Sequence, residues 1–146
     1  MNRELRFEIA AKSLAEARSA NRSGAAILVE GKRDRSILEN LGFNGEIILL
    51  NRGWTIERVI VNLIEEHSRH PIILMDWDRT GDRLQKEITT RLQSLDVAID
   101  LEPRRTLSRA FRPETLCVEG IRKFIIDLRP LIDVNDPEGA GELHLL

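Results

Sequence analysis

The chain of 146 residues contains no tyrosine and a single cysteine, Cys117. It therefore supplies no phenol nucleophile of its own and forms no internal disulfide. With no signal-like pattern at its N-terminus, that cysteine count points to a reducing cytoplasm. Long hydrophobic runs are also missing. The longest unbroken apolar stretch, Ala25 to Val29, is far short of the ~20 residues of a membrane-spanning helix, so no membrane partner is expected. Gly31-Lys32 does not belong to a nucleotide-binding loop, because Ala26 stands where the earlier glycine is needed and Arg33 where Ser or Thr is needed. His67, His70 and His144 show no metal-ligand spacing. No internal repeat, low-complexity segment or second domain is visible.

Hydrophobic residues at 42% and charged residues at 32% describe one soluble globular domain. At this length a fold buries roughly 68–70% of its unfolded surface, enough to stand without a disulfide or structural metal. The formal charge of −2 is unevenly divided. Pro103 to Arg112 holds Arg104, Arg105, Arg109 and Arg112 and no acid, whereas Asp127 to Leu146 holds five acids against Arg129 alone. Such a basic loop in a mildly acidic protein suits a small polyanion site, and it suits an ordinary solvated loop equally well.

Hydrophobic periodicity predicts alternating strands and helices. Phe7, Ala10, Ala11, Leu14 and Ala17 recur at helical spacing between Arg3 and Ala20. Ala25 to Glu30 reads as a strand covered on both faces, a short helix follows from Asp34 to Leu41, and Glu46 to Leu50 is the second strand. From Thr55, the residues Ile56, Val59, Ile60, Leu63 and Ile64 form one apolar stripe. Pro71 opens a third strand, Ile72 to Asp76. A helix after Gly81 and Asp82 presents Leu84, Ile88, Leu92 and Leu95, and Val97 to Leu101 reads as a fourth strand. This order predicts an α/β fold with about four mainly parallel strands flanked by helices. Beyond it lie the arginine loop, a helix over Glu114 to Leu128 with Leu116, Ile121, Phe124 and Ile125 facing inward, and a tail without a readable period.

Parallel strands place their C-termini on one edge, where ligands bind. The first apolar run ends in Glu30-Gly31, and the third in Asp76-Trp77-Asp78-Arg79-Thr80-Gly81. Side chains alternate along an extended chain, so Asp76 and Asp78 can share one side with Cα atoms about 6.6 Å apart. Glu30 joins them if the first and third strands are neighbours. Two like charges 4 Å apart repel by about 4 kcal/mol at an effective dielectric of 20. Either one carboxyl keeps its proton, or a hard divalent cation lies between them. Mg²⁺ suits the number and type of donors, with Mn²⁺ as a substitute. Gly31 and Gly81 would then let a phosphate backbone approach closely. A plainer role for Asp78 or Asp82 is to cap the helix that follows.

At these residues the sequence resembles the Toprim domain, the catalytic module of type IA and type II topoisomerases, bacterial primases, several nucleases and recombination mediators, and the ribosomal RNA maturase. The family pattern is a glutamate after the first strand and Asp-x-Asp after the third, here Glu30 in Leu28-Val29-Glu30-Gly31 and Asp76 with Asp78 in Leu74-Met75-Asp76-Trp77-Asp78. The likeness runs from about Ala25 to Leu101, leaving the first helix and residues 102–146 outside it. It implies a Toprim, Rossmann-like fold with a Mg²⁺-dependent phosphoryl-transfer site, in which Asp76 and Asp78 bind metal and Glu30 transfers a proton or adds a ligand. Lys32, Arg33 and Arg79 lie beside the motifs, where they could hold phosphates.

The absent tyrosine then separates this chain from topoisomerases, and its length separates it from primases. A small stand-alone Toprim protein remains, and the implied partner is nucleic acid, DNA or RNA. The expected activity is cleavage or RNA processing. The alternative is a non-catalytic nucleic-acid-binding or adaptor module, which would add a protein partner. A haloacid-dehalogenase-type phosphatase would carry Asp-x-Asp in its first strand rather than its third, and a response-regulator receiver would need an acidic pair where Glu30 stands alone. Trp54 and Trp77 are candidate base-stacking residues, with packing the better reading of Trp77.

Overall fold

Ile27 to Val29 form a central strand, β1, buried on both faces, because every residue in it is apolar and each alternate side chain meets a different layer of helices. In the computed structural model, which describes residues 1–66 and 70–141, β2 (Ile47–Leu49) and β3 (Ile72–Ile73) pair with β1 in parallel, in the order β2-β1-β3. Ile27 is in register with Ile47 on one side and Ile72 on the other. The ladder runs past the strands through Asn51 N–H to the Glu30 carbonyl at 2.9 Å and Leu74 N–H to the Leu28 carbonyl at 2.8 Å.

Two apolar layers follow from the alternation. Ala26, Leu28, Ile48, Leu50, Ile73 and Met75 pack against Val59, Ile60 and Leu63 of α3 (Ile56–Glu66) and Ile88 and Leu92 of α4 (Arg79–Ser94). Ile27, Val29, Leu49, Ile72 and Leu74 pack against α1 (Arg3–Arg22), α2 (Lys32–Asn40), α5 (Glu102–Phe111) and α6 (Ile125–Asn135). Burying each of these Leu, Ile or Val side chains contributes about 1.5–3 kcal/mol. On this second face Phe7, Phe111 and Phe124 form an aromatic cluster with centroids 5.1–6.1 Å apart.

The sheet has three strands rather than four. The Val97–Leu101 segment contributes a single bridge, Ile72 to Asp100, with Asp100 N–H donating to the Pro71 carbonyl at 3.1 Å. Asp96 leaves α4 with φ of 61°, and α5 begins at Glu102, so little chain remains to run beside β3.

The arginine segment is a helix, α5, not a loop. Pro103, Leu107, Ala110 and Phe111 are its buried positions, at i, i+4, i+7 and i+8, and proline is tolerated in the first turn, where no helical N–H bond is lost. The single helix expected over Glu114–Leu128 is instead a 3₁₀ segment, Val118–Phe124, followed by α6, and Leu116 is exposed rather than inward-facing. The tail through residue 141 is ordered by α6 and a 3₁₀ turn at Pro137–Gly139. Pro130 lies inside α6, where the carbonyl it leaves unpaired belongs to the highly exposed Ile126 and is open to water.

One device that ties the tail to the body has no counterpart in the hydrophobic pattern. The Arg18 guanidinium, fully buried, bonds Asp133 at 2.8 Å, Asp136 at 2.7 Å, and the carbonyls of Leu41 and Asp136 at 3.0 and 2.7 Å. Arg22 adds a second cation on Asp136, and together the two guanidiniums hold that carboxyl below the usual carboxylate range.

Candidate active site

Because β1 and β3 are neighbours, the ends of the first and third apolar runs meet at one rim. Glu30 Oε2 accepts from the Asp76 backbone N–H at 2.8 Å. Val118 and Arg104 fix Asp76 and its neighbour Met75 through three further bonds. Asp76 Oδ1 accepts from Val118 N–H at 2.8 Å, the Asp76 carbonyl accepts from Arg104 Nη2 at 2.6 Å, and the Met75 carbonyl accepts from Arg104 Nε at 2.9 Å. The strand ladder gives way here because side chains take over its donors, with Gln85 Oε1 accepting from Met75 N–H at 3.2 Å.

The Asp76 carboxyl is raised to about 6, chiefly by burial and then by the nearby Glu30 and Asp78 charges, against the stabilising Val118 N–H. Asp34, which the sequence marks only as a helix cap, joins the same group. Its Oδ2 accepts from Gly31 N–H at 3.1 Å, and burial, with the charges of Asp76 and Glu119, also raises it to about 6. Asp78 caps α4, its Oδ1 accepting from Gly81 N–H at 2.7 Å. The capping role open to Asp78 or Asp82 thus falls to Asp78, while Asp82 forms an ion pair with Arg104 at 2.7 Å. Among the described residues, no group of three or more His, Cys, Asp or Glu side chains is arranged to hold a metal ion.

The flanking residues divide. Lys32 and Arg79 are exposed beside the rim, and Arg33 reaches Glu119 at 3.4 Å across exposed surface. A Cβ on Gly31 would meet nothing within 4 Å, which leaves the rim open at that point. Gly81 has a different role from the phosphate approach expected of it: a Cβ there would lie 1.9 Å from the Asp76 carbonyl oxygen, so glycine is required for α4 to start against the site backbone. Gly81→Ala is expected to cost about 1–3 kcal/mol by forcing these backbones apart, read as a lower urea midpoint. Arg104 is likewise a brace and not a free phosphate ligand, since its donors go to Met75, Asp76 and Asp82. Arg105, Arg109 and Arg112 are exposed and, at i, i+4 and i+7, fall on one side of α5.

The segment Thr115–Val118 forms a wall of the site that the motifs do not announce. Trp77 is buried, its Nε1 donating to the Thr115 carbonyl at 2.7 Å and its backbone N–H to the Leu116 carbonyl at 2.9 Å. It packs beneath the rim and presents no face to a base. His67 and His144 lie outside the described residues, and His70 is exposed.

Stability should report the crowded acids. A carboxyl raised above its unfolded value binds its proton more tightly in the folded chain, so its contribution is complete below about 3.8 and lost as pH rises through about 6. Asp136 acts oppositely, supporting the fold above its unfolded value and losing that support as pH falls through its depressed one. In EDTA, the urea midpoint is expected to rise between pH 7.5 and pH 5, and Asp34→Asn should flatten that rise; an unchanged slope would remove Asp34 from the cluster.

Helices on both faces of a three-stranded parallel sheet, with carboxyls gathered beyond the C-terminal ends of β1 and β3, define an α/β protein with an acidic rim. No family model matches the chain. It is 34% identical over 116 residues to a UPF0292 protein of Thermococcus gammatolerans, covering 80% of this chain and 83% of that protein. It is 32% identical over 127 residues to a UPF0292 protein of Methanosarcina barkeri, covering 85% of each. The chain belongs to the UPF0292 family. A solved structure of a protein from Aquifex aeolicus matches it with a TM-score of 0.61 at 28% identity, over 73% of this chain and 93% of that one.

Proposed function

We propose that this protein is a Toprim-type module that acts on nucleic acid phosphodiesters by divalent-cation-assisted phosphoryl transfer. The observation that carries the reading is the adjacency of β1 and β3, which puts Glu30 in direct hydrogen bond with the Asp76 backbone and its carboxyl beside that of Asp76. The donor set fits Mg²⁺ or Mn²⁺ in kind, being hard carboxylate oxygens, and Mg²⁺ takes only one or two of them with water and phosphate oxygens completing its shell. Asp76 and Asp78 would hold the cation. Bound there, it supplies charge neutralisation at the phosphate and a more acidic water.

The chain's own groups account for the remainder. Glu30, bonded to the Asp76 backbone N–H at the rim, is placed to take or return a proton at the phosphate. Arg104 and Gly81 fix the Asp76 backbone and the Val118 N–H fixes its carboxylate, so the acids are held in place before substrate arrives. Lys32, Arg79 and the Arg105, Arg109 and Arg112 side of α5 are exposed cations for the polymer backbone.

A second reading is favoured by the commitment of Glu30 and Asp78 oxygens to backbone N–H groups, which suits a nucleic-acid-binding module without turnover. Labelled RNA and DNA incubated with Mg²⁺ or Mn²⁺ separate the two. Cation-dependent cleavage supports the enzyme, and binding without cleavage under any of these conditions supports the module.

A further inference from the structure

The same edge of the sheet carries a second group of chemistry-bearing side chains that the acidic motifs do not include. After β2 the chain passes through Asn51, Arg52, Gly53 and Trp54 into α3. Asn51 N–H donates to the Glu30 carbonyl at 2.9 Å, which ties this loop to the one that bears the proposed proton-transfer group. Gly53 turns the loop at φ of 81°, a conformation that side-chain-bearing residues rarely adopt, and a Cβ there would meet nothing within 4 Å.

Two guanidiniums lie against one indole in this loop. The Arg52 guanidinium carbon is 3.8 Å from the Trp54 ring centroid, and that of Arg58, on the first turn of α3, is 4.2 Å away. Trp54 is half-buried and packs partly on the α3/α4 core, while Arg52 and Arg58 are exposed. Several other arginines take carboxylates, Arg6 binding Glu114, Arg91 binding Glu57 and Glu87, and Arg104 binding Asp82, while Arg3 lies over the Phe7 and Phe124 rings. Among the described residues neither Arg52 nor Arg58 is within salt-bridge reach of an acid, so two positive charges are kept on an aromatic surface without neutralisation.

We infer that Arg52, Trp54 and Arg58 form a platform for an unpaired stretch of nucleic acid, in which the guanidiniums swing from the indole onto flanking phosphates and a base takes the ring face they vacate. The guanidiniums cover the indole at 3.8 and 4.2 Å, and once phosphates draw them aside the ring offers a π-face to any base. Guanidiniums bind phosphate oxygens through paired N–H groups, and their planes also stack on bases. Paired bases in a duplex are already stacked on their neighbours and have no face to offer, so single strands are preferred. The inference deepens the proposed function and rests on it for the identity of the polymer. A strand held here passes the rim that carries Glu30 and Asp76.

The test is titration of the full chain, in EDTA, with a short oligothymidylate and a short oligouridylate, followed by tryptophan emission. Trp77 is buried, so quenching reports Trp54. Wild type is expected to bind with quenching. Trp54→Phe should remove most of the quenching while retaining part of the affinity, and Trp54→Leu should weaken binding roughly tenfold or more. Arg52→Gln with Arg58→Gln, both at exposed positions that leave the core intact, should weaken binding and flatten the logarithmic salt dependence by roughly 1.4. A duplex of the same length and inorganic polyphosphate should quench weakly or not at all.

Several results overturn the platform: no binding by wild type, binding without a change in emission, equal quenching by polyphosphate, or an arginine double variant that binds as wild type does. Leaving out the cation separates this outcome from that of the active site. Binding and quenching by a protein that never cleaves would keep the platform and end the catalytic reading. Cation-dependent cleavage lost in Glu30→Gln, with wild-type binding by the Trp54 and arginine variants, would do the reverse.

Discussion

Glu30→Gln is expected to lower cation-dependent phosphodiester cleavage by roughly 10²–10⁴-fold, the range associated with removing a positioned proton-transfer group. The substitution isolates chemistry from structure. Glutamine keeps a carbonyl oxygen for the Asp76 N–H that Glu30 now accepts at 2.8 Å, so the link between β1 and β3 survives. It also deletes a negative charge beside Asp76, one of the causes that raise that carboxyl to about 6. The urea midpoint should therefore stay level or rise as activity falls. Single-turnover cleavage measured beside equilibrium binding decides the case, and a variant that cleaves at the wild-type rate removes Glu30 from the mechanism.

The largest expected loss of stability lies far from the rim. Arg18→Leu removes the fully buried cation that ties Asp133 to α1 and shares Asp136 with Arg22, a change of the kind that costs about 3–5 kcal/mol. At roughly 2–4 °C per kcal/mol for a chain of this size, the melting temperature should fall by more than about 6 °C. Arg18→Lys distinguishes charge from geometry. An ammonium keeps the charge but does not reproduce the four fixed bonds the guanidinium makes to Asp133, Asp136 and the Leu41 and Asp136 carbonyls. An intermediate loss is expected, and a lysine variant as stable as wild type would show that charge alone suffices. Arg22 and Arg129 remain on the two acids and temper both losses.

The acidic rim joins the catalytic and structural readings through one residue. Asp76 receives hydrogen bonds from α5, through Arg104, and from Val118, and donates one to Glu30, while α4 starts against its carbonyl at Gly81. The polar groups around it thus come from segments outside the two motifs as well as from within them. This arrangement ties the position of the site acids to the packing of the C-terminal third of the chain, which the family resemblance does not cover.

Sequence periodicity located the helices and strands through Ser94 because apolar spacing is a local property, although of the stripes expected on α3 and α4 Ile64 and Leu95 are exposed and only Val59, Ile60, Leu63, Ile88 and Leu92 are buried. It also placed Glu30 directly after β1, whereas the third strand expected to reach Asp76 stops at Ile73 and leaves Asp76 three residues beyond it. After Ser94 local signals misled. Arginines and a first-turn proline masked the helical spacing of Leu107, Ala110 and Phe111 in α5, and the Val97–Leu101 run looked like a strand although only Asp100 reaches β3.

What the chain determines alone is which segments are apolar, on which period, and where acids interrupt them, since these follow from side-chain identity and backbone geometry. Strand order, the burial that raises Asp34 and Asp76, and the pairing of Arg18 with acids 115 and 118 residues away were decided by the tertiary structure. Each of these depends on distances between residues remote in the chain or on solvent excluded by several elements together, and neither quantity is written in any single stretch of sequence.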